Sequence, residues 1–261
     1  MSLAQFGHRF ITELAALSGT CRAPQNGLRI MMYHAVGGPA DNDEFGYYSI
    51  TAERFARHME ILSQTVGVAV SSVTQAACAV DSAKVAITFD DGYRDNLRVA
   101  APILLAHGMP FTVYVATRFV RERHPDFLSS EEIRELAAFP GATIGAHGDT
   151  HVPLAGCDDR TLAAELADSR AYLEDLTGRA VTTMSYPHGS VDRRVRDAVE
   201  AAGYDHAGCS HIGINRSTCD PLLLSRTTIF AQDDEHAFRR KLNGCWDWYG
   251  RLQPQPAGMK S

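Results

Sequence analysis

The chain has 261 residues, 45% of them hydrophobic and 21% charged. That apolar share can build a sizeable core, and it excludes an intrinsically disordered chain. A formal net charge of −6 with no run of basic residues lacks the electrostatic footprint of a nucleic-acid binder.

Phe6, Phe10, Ile11, Leu14 and Leu17 recur at helical spacing. Residues 1–27 are therefore expected to form a helical extension that packs on its own domain or makes a peripheral membrane contact. Met1 to Phe10 lacks a basic region followed by an unbroken apolar stretch, and Glu13 interrupts the apolar residues after it, so this does not read as a signal peptide. No segment approaches the roughly 18 apolar residues of a membrane span.

Strand and helix patterns then alternate. Leu28 to Tyr33 reads as a strand, Ala52 to Gln64 as a helix, Lys84 to Phe89 as a strand, Arg94 to His107 as a helix, and Pro110 to Ala116 as a strand. Ser130 to Ala138 is helical, Ala142 to Ala146 extended, Asp159 to Thr177 helical, and Val181 to Tyr186 extended. Val191 to Ala202, Tyr204 to Cys209, Leu224 to Phe230 and Asp234 to Asn243 continue the alternation. The pattern predicts one α/β domain over residues 28–245 with a mainly parallel sheet, open or closed into a barrel. Gly37 to Gly46 is a loop by composition, and residues 246–261 form a tail in which Trp246 and Trp248 anchor the last helix. The six cysteines, Cys21, Cys78, Cys157, Cys209, Cys219 and Cys245, are scattered. With nothing pointing to export, they are expected as reduced thiols in a cytoplasmic protein.

Two polar clusters end buried strands. Lys84 to Phe89 runs into Asp90-Asp91-Gly92, and Ala142 to Ala146 runs into His147-Gly148-Asp149-Thr150-His151. An Asp-Asp-Gly by itself is usually a solvated turn, and an isolated His-x-x-x-His is usually chance. At the carboxyl ends of strands, where α/β folds carry their chemistry, both gain meaning. Neighbouring strand residues point to opposite faces, so Gly92 must break the strand for Asp90 and Asp91 to serve one site. Asp91, His147 and His151 make a mixed oxygen and nitrogen ligand set suited to catalytic zinc or a related divalent ion, such as cobalt, nickel or manganese. Asp90, adjacent to the ligands, would be the general base.

Together Tyr33-His34, Thr88-Phe-Asp-Asp-Gly92, His147-x-x-x-His151 and Tyr186-Pro187-x-Gly189 resemble the polysaccharide deacetylases of carbohydrate esterase family 4, the nodulation-deacetylase homology group. The resemblance spans about residues 28 to 245 and points to the branch that begins with a Tyr-His motif. It implies a distorted (β/α) barrel of about seven strands in a single domain. The implied activity is metal-dependent removal of N-acetyl groups from an amino sugar.

Three departures stand out. Gly148 replaces the usual Ser or Thr of the His motif. Met184 and Ser185 replace the Arg before the third motif's Pro. Leu224-Ser-Arg226 replaces the late Leu-x-His that supplies the acid. Arg226 would then pair with Asp90 and His34 would be the acid, with His188, His206 and His211 as competitors. Substrate contacts are expected from Tyr186, Pro187 and Gly189, an oxyanion N–H from that turn, and sugar-ring contacts from Tyr47, Tyr93 or Tyr186. The expected substrate is an acetylated amino sugar, nucleotide- or lipid-linked, in the biosynthesis of O-antigen, capsule or exopolysaccharide. A deformylase or other C–N amide hydrolase on the same fold, and a non-catalytic carbohydrate-binding relative, are the alternatives.

Overall fold

The computed structural model describes residues 24–38, 43, 46–76 and 81–254. The expected helix carrying Phe6 to Leu17 lies outside the described residues, as do parts of the expected Gly37–Gly46 loop and the tail past Pro254. The chain runs β1 (Gly27–Tyr33), β2 (Ala35–Val36), β3 (Ser49–Ile50), α1 (Ala52–Gln64), β4 (Val68–Val70), α2 (Val73–Ala76) and β5 (Ala83–Phe89). It continues through α3 (Ala101–Ala106), β6 (Phe111–Val115), α4 (Thr117–Arg121), α5 (Ser130–Ala137), β7 (Ala142–Ala146) and α6 (Asp159–Thr177). Then come β8 (Thr183–Ser185), α7 (Arg193–Ala201), β9 (His206–Gly208), β10 (Arg226–Thr228), α8 (Glu235–Leu242) and α9 (Asp247–Gly250).

Seven strands pair in the order β10-β1-β5-β6-β7-β8-β9, with β4 added beside β5, and every pairing is parallel. The ring comes close to closing, because Gly208 at the end of β9 bridges Leu224 just ahead of β10. A parallel sheet covered on its faces needs apolar residues on both sides of each strand, and every residue of β1 and β6 is buried. The product is a single α/β domain with a nearly closed seven-strand parallel barrel, as the strand pattern and the resemblance implied.

Helix ends follow local chemistry. Ser129 and Glu132 form a reciprocal capping box on α5, Asp158 caps α6, and Gly178 ends α6 at φ 65°. Caps of this kind are worth about 1 kcal/mol each. The helix expected over Arg94 to His107 is not continuous: Asn96–Ala100 is a π turn that leads into α3. Pro102 has no N–H to return to the carbonyl one turn back, and its ring crowds that carbonyl, so the ladder widens ahead of it. The widened turn lets the Asn96 side chain donate to the His34 carbonyl at 2.8 Å.

One further expectation is corrected. Cys245 is disulfide-bonded, whereas Cys157, Cys209 and Cys219 are free thiols, so the chain does not carry six reduced thiols. Part of the expected tail is built onto the barrel, since Arg29 of β1 clasps Asp247 of α9 through two hydrogen bonds of 2.8 and 2.9 Å. Among the described residues, no helix is long and apolar enough to cross a membrane.

Candidate metal centre and active site

Parallel strands all present their carboxyl ends to one face, and the candidate residues collect there. His34 follows β1, Asp90 and Asp91 follow β5, His147 follows β7, and Tyr186 to Gly189 follow β8. The register pairs Tyr33 with Phe89, and the Asp90 N–H donates to the Tyr33 carbonyl at 3.0 Å, which fixes where the chain leaves the strand. Asp91 then turns into the left-handed region at φ 73°. The side-chain reversal expected at Gly92 is therefore already under way at Asp91.

The Asp91 Oδ1 lies 3.1 Å from His151 Nε2 and 3.3 Å from His147 Nε2. One ligand atom from each of the three residues falls within 4.8 Å of the others. His147 Nδ1 sits 2.9 Å from the Ser185 carbonyl, which can only accept, so Nδ1 carries the proton and the Nε2 lone pair faces Asp91. That is the orientation a metal-ligating imidazole takes when a carbonyl holds its far side. His151 also adopts a left-handed backbone, φ 61°. Two non-glycine residues in this sparsely populated region, both in one cluster, mark a backbone bent to bring ligands together. The donor set fits a divalent ion with open positions.

Glu165 of α6 holds the His motif, and the sequence reading missed it. Its carboxylate accepts from the Asp149 N–H at 2.7 Å, from the Thr150 N–H at 2.9 Å, and from the Thr150 hydroxyl. Gly148, at φ +70°, lies against this buried acid, and a Cβ there would stand 3.0 Å from Glu165 Oε2 and 3.2 Å from Pro187 Cγ. That close approach accounts for glycine where Ser or Thr is usual. The signal was present, because Glu165 occupies the buried stripe of Leu162, Leu166 and Leu173, where an acid needs partners.

Asp90 is buried and fully engaged. Arg226, itself fully buried, donates from Nη1 to Asp90 Oδ1 at 2.6 Å and from Nη2 to Oδ2 at 2.8 Å. Its Nε donates to the Cys209 carbonyl at 2.9 Å. The guanidinium passes over Gly208, where a Cβ would come within 2.7 Å of Arg226 Cδ, so only glycine admits this path. Ser185, also missed by the sequence reading, bridges base and ligand: its Oγ lies 3.2 Å from Asp90 Oδ1 and 2.5 Å from His147 Nδ1. Burial pushes the Asp90 carboxyl up, but Arg226 and then His147 outweigh it and hold the group below its ordinary value. Asp91 behaves likewise, with burial outweighed by the imidazoles of His147 and His151 that face it.

His34 stands close enough for the charges of Asp91 and Asp90 to pull its pKa up, yet burial dominates and the imidazole titrates below its ordinary value. This reverses the upward shift expected for an acid beside carboxylates. Its Nδ1 is buried without a hydrogen-bond partner among the described residues. Among the competitors, the His188 ring lies 4.6 Å from that of His151, His211 Nε2 is tied to the Pro254 carbonyl at 2.6 Å, and His206 opens β9 at the opposite, amino end of the strand.

Some expected substrate contacts are corrected. The Tyr186 ring is fully buried with its hydroxyl on the Leu222 carbonyl at 2.7 Å, and Tyr93 is buried and stacked on Phe127 at 4.6 Å. Neither ring can lie against a sugar. Of the turn after β8, the N–H groups of Tyr186, Gly189 and Ser190 go to Gly208, Tyr186 and Pro187. Pro187 has none, which leaves the His188 N–H as the turn's oxyanion candidate.

Residues 79–207 match the polysaccharide deacetylase family. The YxkH protein of Bacillus subtilis (strain 168), named for that family, is 30% identical over 182 residues, which are 68% of this chain and 62% of that protein. The chain thus spans about three-fifths of that relative's length. Among solved structures, a Streptococcus pyogenes deacetylase, PplD, in complex with acetate superposes with a TM-score of 0.74 at 20% identity, covering 84% of this chain and 99% of that one. IcaB from Ammonifex degensii gives a TM-score of 0.71 at 21% identity, with 85% and 98% covered. These structures speak to the fold. The family match runs through Asp90, Asp91, His147, His151 and Ser185, and the Asp-His-His group is assembled at the mouth of the matching barrel, so over residues 79–207 the chain is similar to the polysaccharide deacetylase family.

Proposed function

We propose that the protein is a metal-dependent hydrolase that removes N-acetyl groups from an amino sugar of a cell-surface polysaccharide, and that it belongs to the Tyr-His branch of the polysaccharide deacetylase family. The observation that carries this reading is the adjacency of two differently wired carboxylates. Asp91 faces two imidazole nitrogens, while Asp90 faces Arg226 and Ser185.

Asp91, His147 and His151 would hold a divalent ion, zinc in our reading with cobalt, nickel or manganese as alternatives, which would supply Lewis-acid polarisation of the amide carbonyl and lower the pKa of a water. Asp90, kept ionised by Arg226, takes the proton of the attacking water. The His188 N–H stabilises charge developing on the carbonyl oxygen. His34, protonated, gives its proton to the leaving amine, because an amide nitrogen leaves poorly as an anion.

The non-catalytic alternative draws on the absent third-motif Arg and the absent late His, and the Arg226–Asp90 pair supports the catalytic reading on the first of these. The decisive assay is acetate release by metal-loaded and chelator-treated protein from nucleotide-linked, lipid-linked and oligomeric N-acetylated amino sugars. Metal-dependent acetate is expected. Formate in place of acetate would redirect the reading to a deformylase, and binding without any product to a carbohydrate-binding relative.

A further inference from the structure

Tyr48 lies on the His34 side of the metal centre, and no step above uses it. Its ring centroid is 4.6 Å from the His34 ring and 5.9 Å from that of Phe230, and the charge of Asp91 reaches its hydroxyl. The residue nevertheless remains 40% exposed, and its neighbour Tyr47 is 39% exposed. The other large hydrophobic residues exposed among the described residues are the aliphatic Val66, Leu105 and Leu252.

This aromatic surface is fixed from two sides. The Asp43 carboxylate accepts the N–H groups of Tyr47 at 2.8 Å, Tyr48 at 2.6 Å and Ser49 at 3.1 Å. From the far side, the Ala231 N–H donates to the Tyr47 carbonyl at 2.7 Å. Behind Phe230, Asp233 accepts the Phe230 N–H at 2.7 Å and pairs with the buried Lys241. An aromatic face left open to water, yet held this firmly beside a reaction centre, suits a ligand with one apolar face and polar edges. A pyranose ring, with its axial C–H groups on one side and hydroxyls around its rim, has that shape.

Resting on the deacetylase reading for the identity of the ligand, we infer that Tyr48, positioned by Asp43, is the platform of a sugar subsite that takes the C–H face of a pyranose ring of the substrate beside His34. The subsite is tested by binding, apart from turnover. The zinc-loaded full chain carrying Asp90→Asn, to arrest hydrolysis, is titrated calorimetrically with the tetramer of N-acetylglucosamine, with and without Tyr48→Ala, Tyr48→Trp or Asp43→Asn. Tyr48→Ala should weaken binding about tenfold or more, Tyr48→Trp should hold it within about threefold, and Asp43→Asn should fall between them. Zinc affinity measured on the same proteins reports whether each still folds. Equal tetramer affinity with and without the Tyr48 ring, in variants that keep zinc, overturns the subsite, and so does failure of the parent protein to bind the tetramer. Failure of the deacetylase reading shows elsewhere, as absence of acetate release by wild type, and leaves a Tyr48-dependent binding result standing.

Discussion

Arg226 crosses the barrel from β10 to give a hydrogen bond to each carboxylate oxygen of Asp90, at 2.6 and 2.8 Å. Both partners are buried, so the pair is a strong geometric constraint and a poor source of net stability. Breaking it from one side is costly, because the remaining charge keeps its desolvation without its partner. Arg226→Met should therefore destabilise the fold by about 3–5 kcal/mol in chemical denaturation, and should lower kcat by roughly 10²-fold or more as Asp90 loses its orientation. Arg226→Lys cannot reproduce the two-pronged geometry and should recover only part of either loss. A methionine variant with wild-type stability and rate would show the pair to be incidental.

Glu165 carries the next expectation. It accepts from two N–H groups and one hydroxyl of the Asp149-Thr150 turn, so Glu165→Ala leaves those donors without their partner and frees the loop that positions His151. Groups one step behind metal ligands commonly contribute 10- to 100-fold in metal affinity, and a loss in that range is expected by metal titration. Glu165→Gln, which keeps one acceptor oxygen, should lose less. Equal metal affinity in Glu165→Ala would mean that the left-handed His151 is held by its other contacts.

The barrel was legible in the chain because β1, β5, β6 and β7 are short, largely apolar runs, and the longer helices between the strands show their period. Asp159 to Thr177 was expected and found with the same bounds. Shorter pieces such as β2, α2 and α4 hold too few residues to express a period, and the π turn at Asn96 arises from Pro102 acting within an otherwise helical pattern. At the site, residues that follow strands within recognisable motifs were visible. The role of Ser185 was not, and Glu165 showed only as an acid in a buried stripe, since the partners of each lie at sequence separations only the fold closes. The Cys245 disulfide is of the same kind, and it removes the thiol argument for a reducing compartment.

His58 gives a stability expectation with a defined sign. Its Nδ1 lies 3.2 Å from the Tyr33 hydroxyl and its Nε2 3.1 Å from the Asp233 carbonyl, and burial pushes its pKa down to about 4 from 6.5. A histidine depressed in the folded state binds its proton more weakly there than in the unfolded chain. The unfolded state thus takes up protons first as the pH falls. The stabilisation from a neutral His58 is fully present above about pH 6.5 and is lost progressively down to about pH 4, by an amount on the order of 3 kcal/mol at most. Thermal midpoints at pH 7 and pH 4.5 should show a smaller acid loss for His58→Gln than for wild type. An equal acid loss in the two proteins would assign the transition to other groups.

For His34 the expectation is chemical. His34→Ala should retain the metal and lose roughly 10²-fold or more in amide hydrolysis. Its loss should be smaller for an activated aryl acetate, whose leaving group needs no proton. Because burial lowers its pKa, the acid form disappears as the pH rises through a value below the ordinary imidazole range of about 6.5, and a bound cation nearby would lower it further. The alkaline limb of kcat/KM for the amide should lie correspondingly low and vanish in the variant. Equal losses on amide and aryl ester would remove His34 from the acid role and leave His188, beside His151, as the next candidate.

The central claim is that two neighbouring carboxylates divide the work, Asp91 with the metal and Asp90 with the proton. Zinc titration paired with acetate release on Asp91→Ala, His147→Ala, His151→Ala and Asp90→Asn tests it most directly. The three ligand variants should lose metal affinity and activity together, while Asp90→Asn should bind zinc within about threefold of wild type and lose roughly 10²–10⁴-fold in rate. Wild-type zinc affinity in the two histidine variants, or more than about a tenth of the rate in Asp90→Asn, would contradict it.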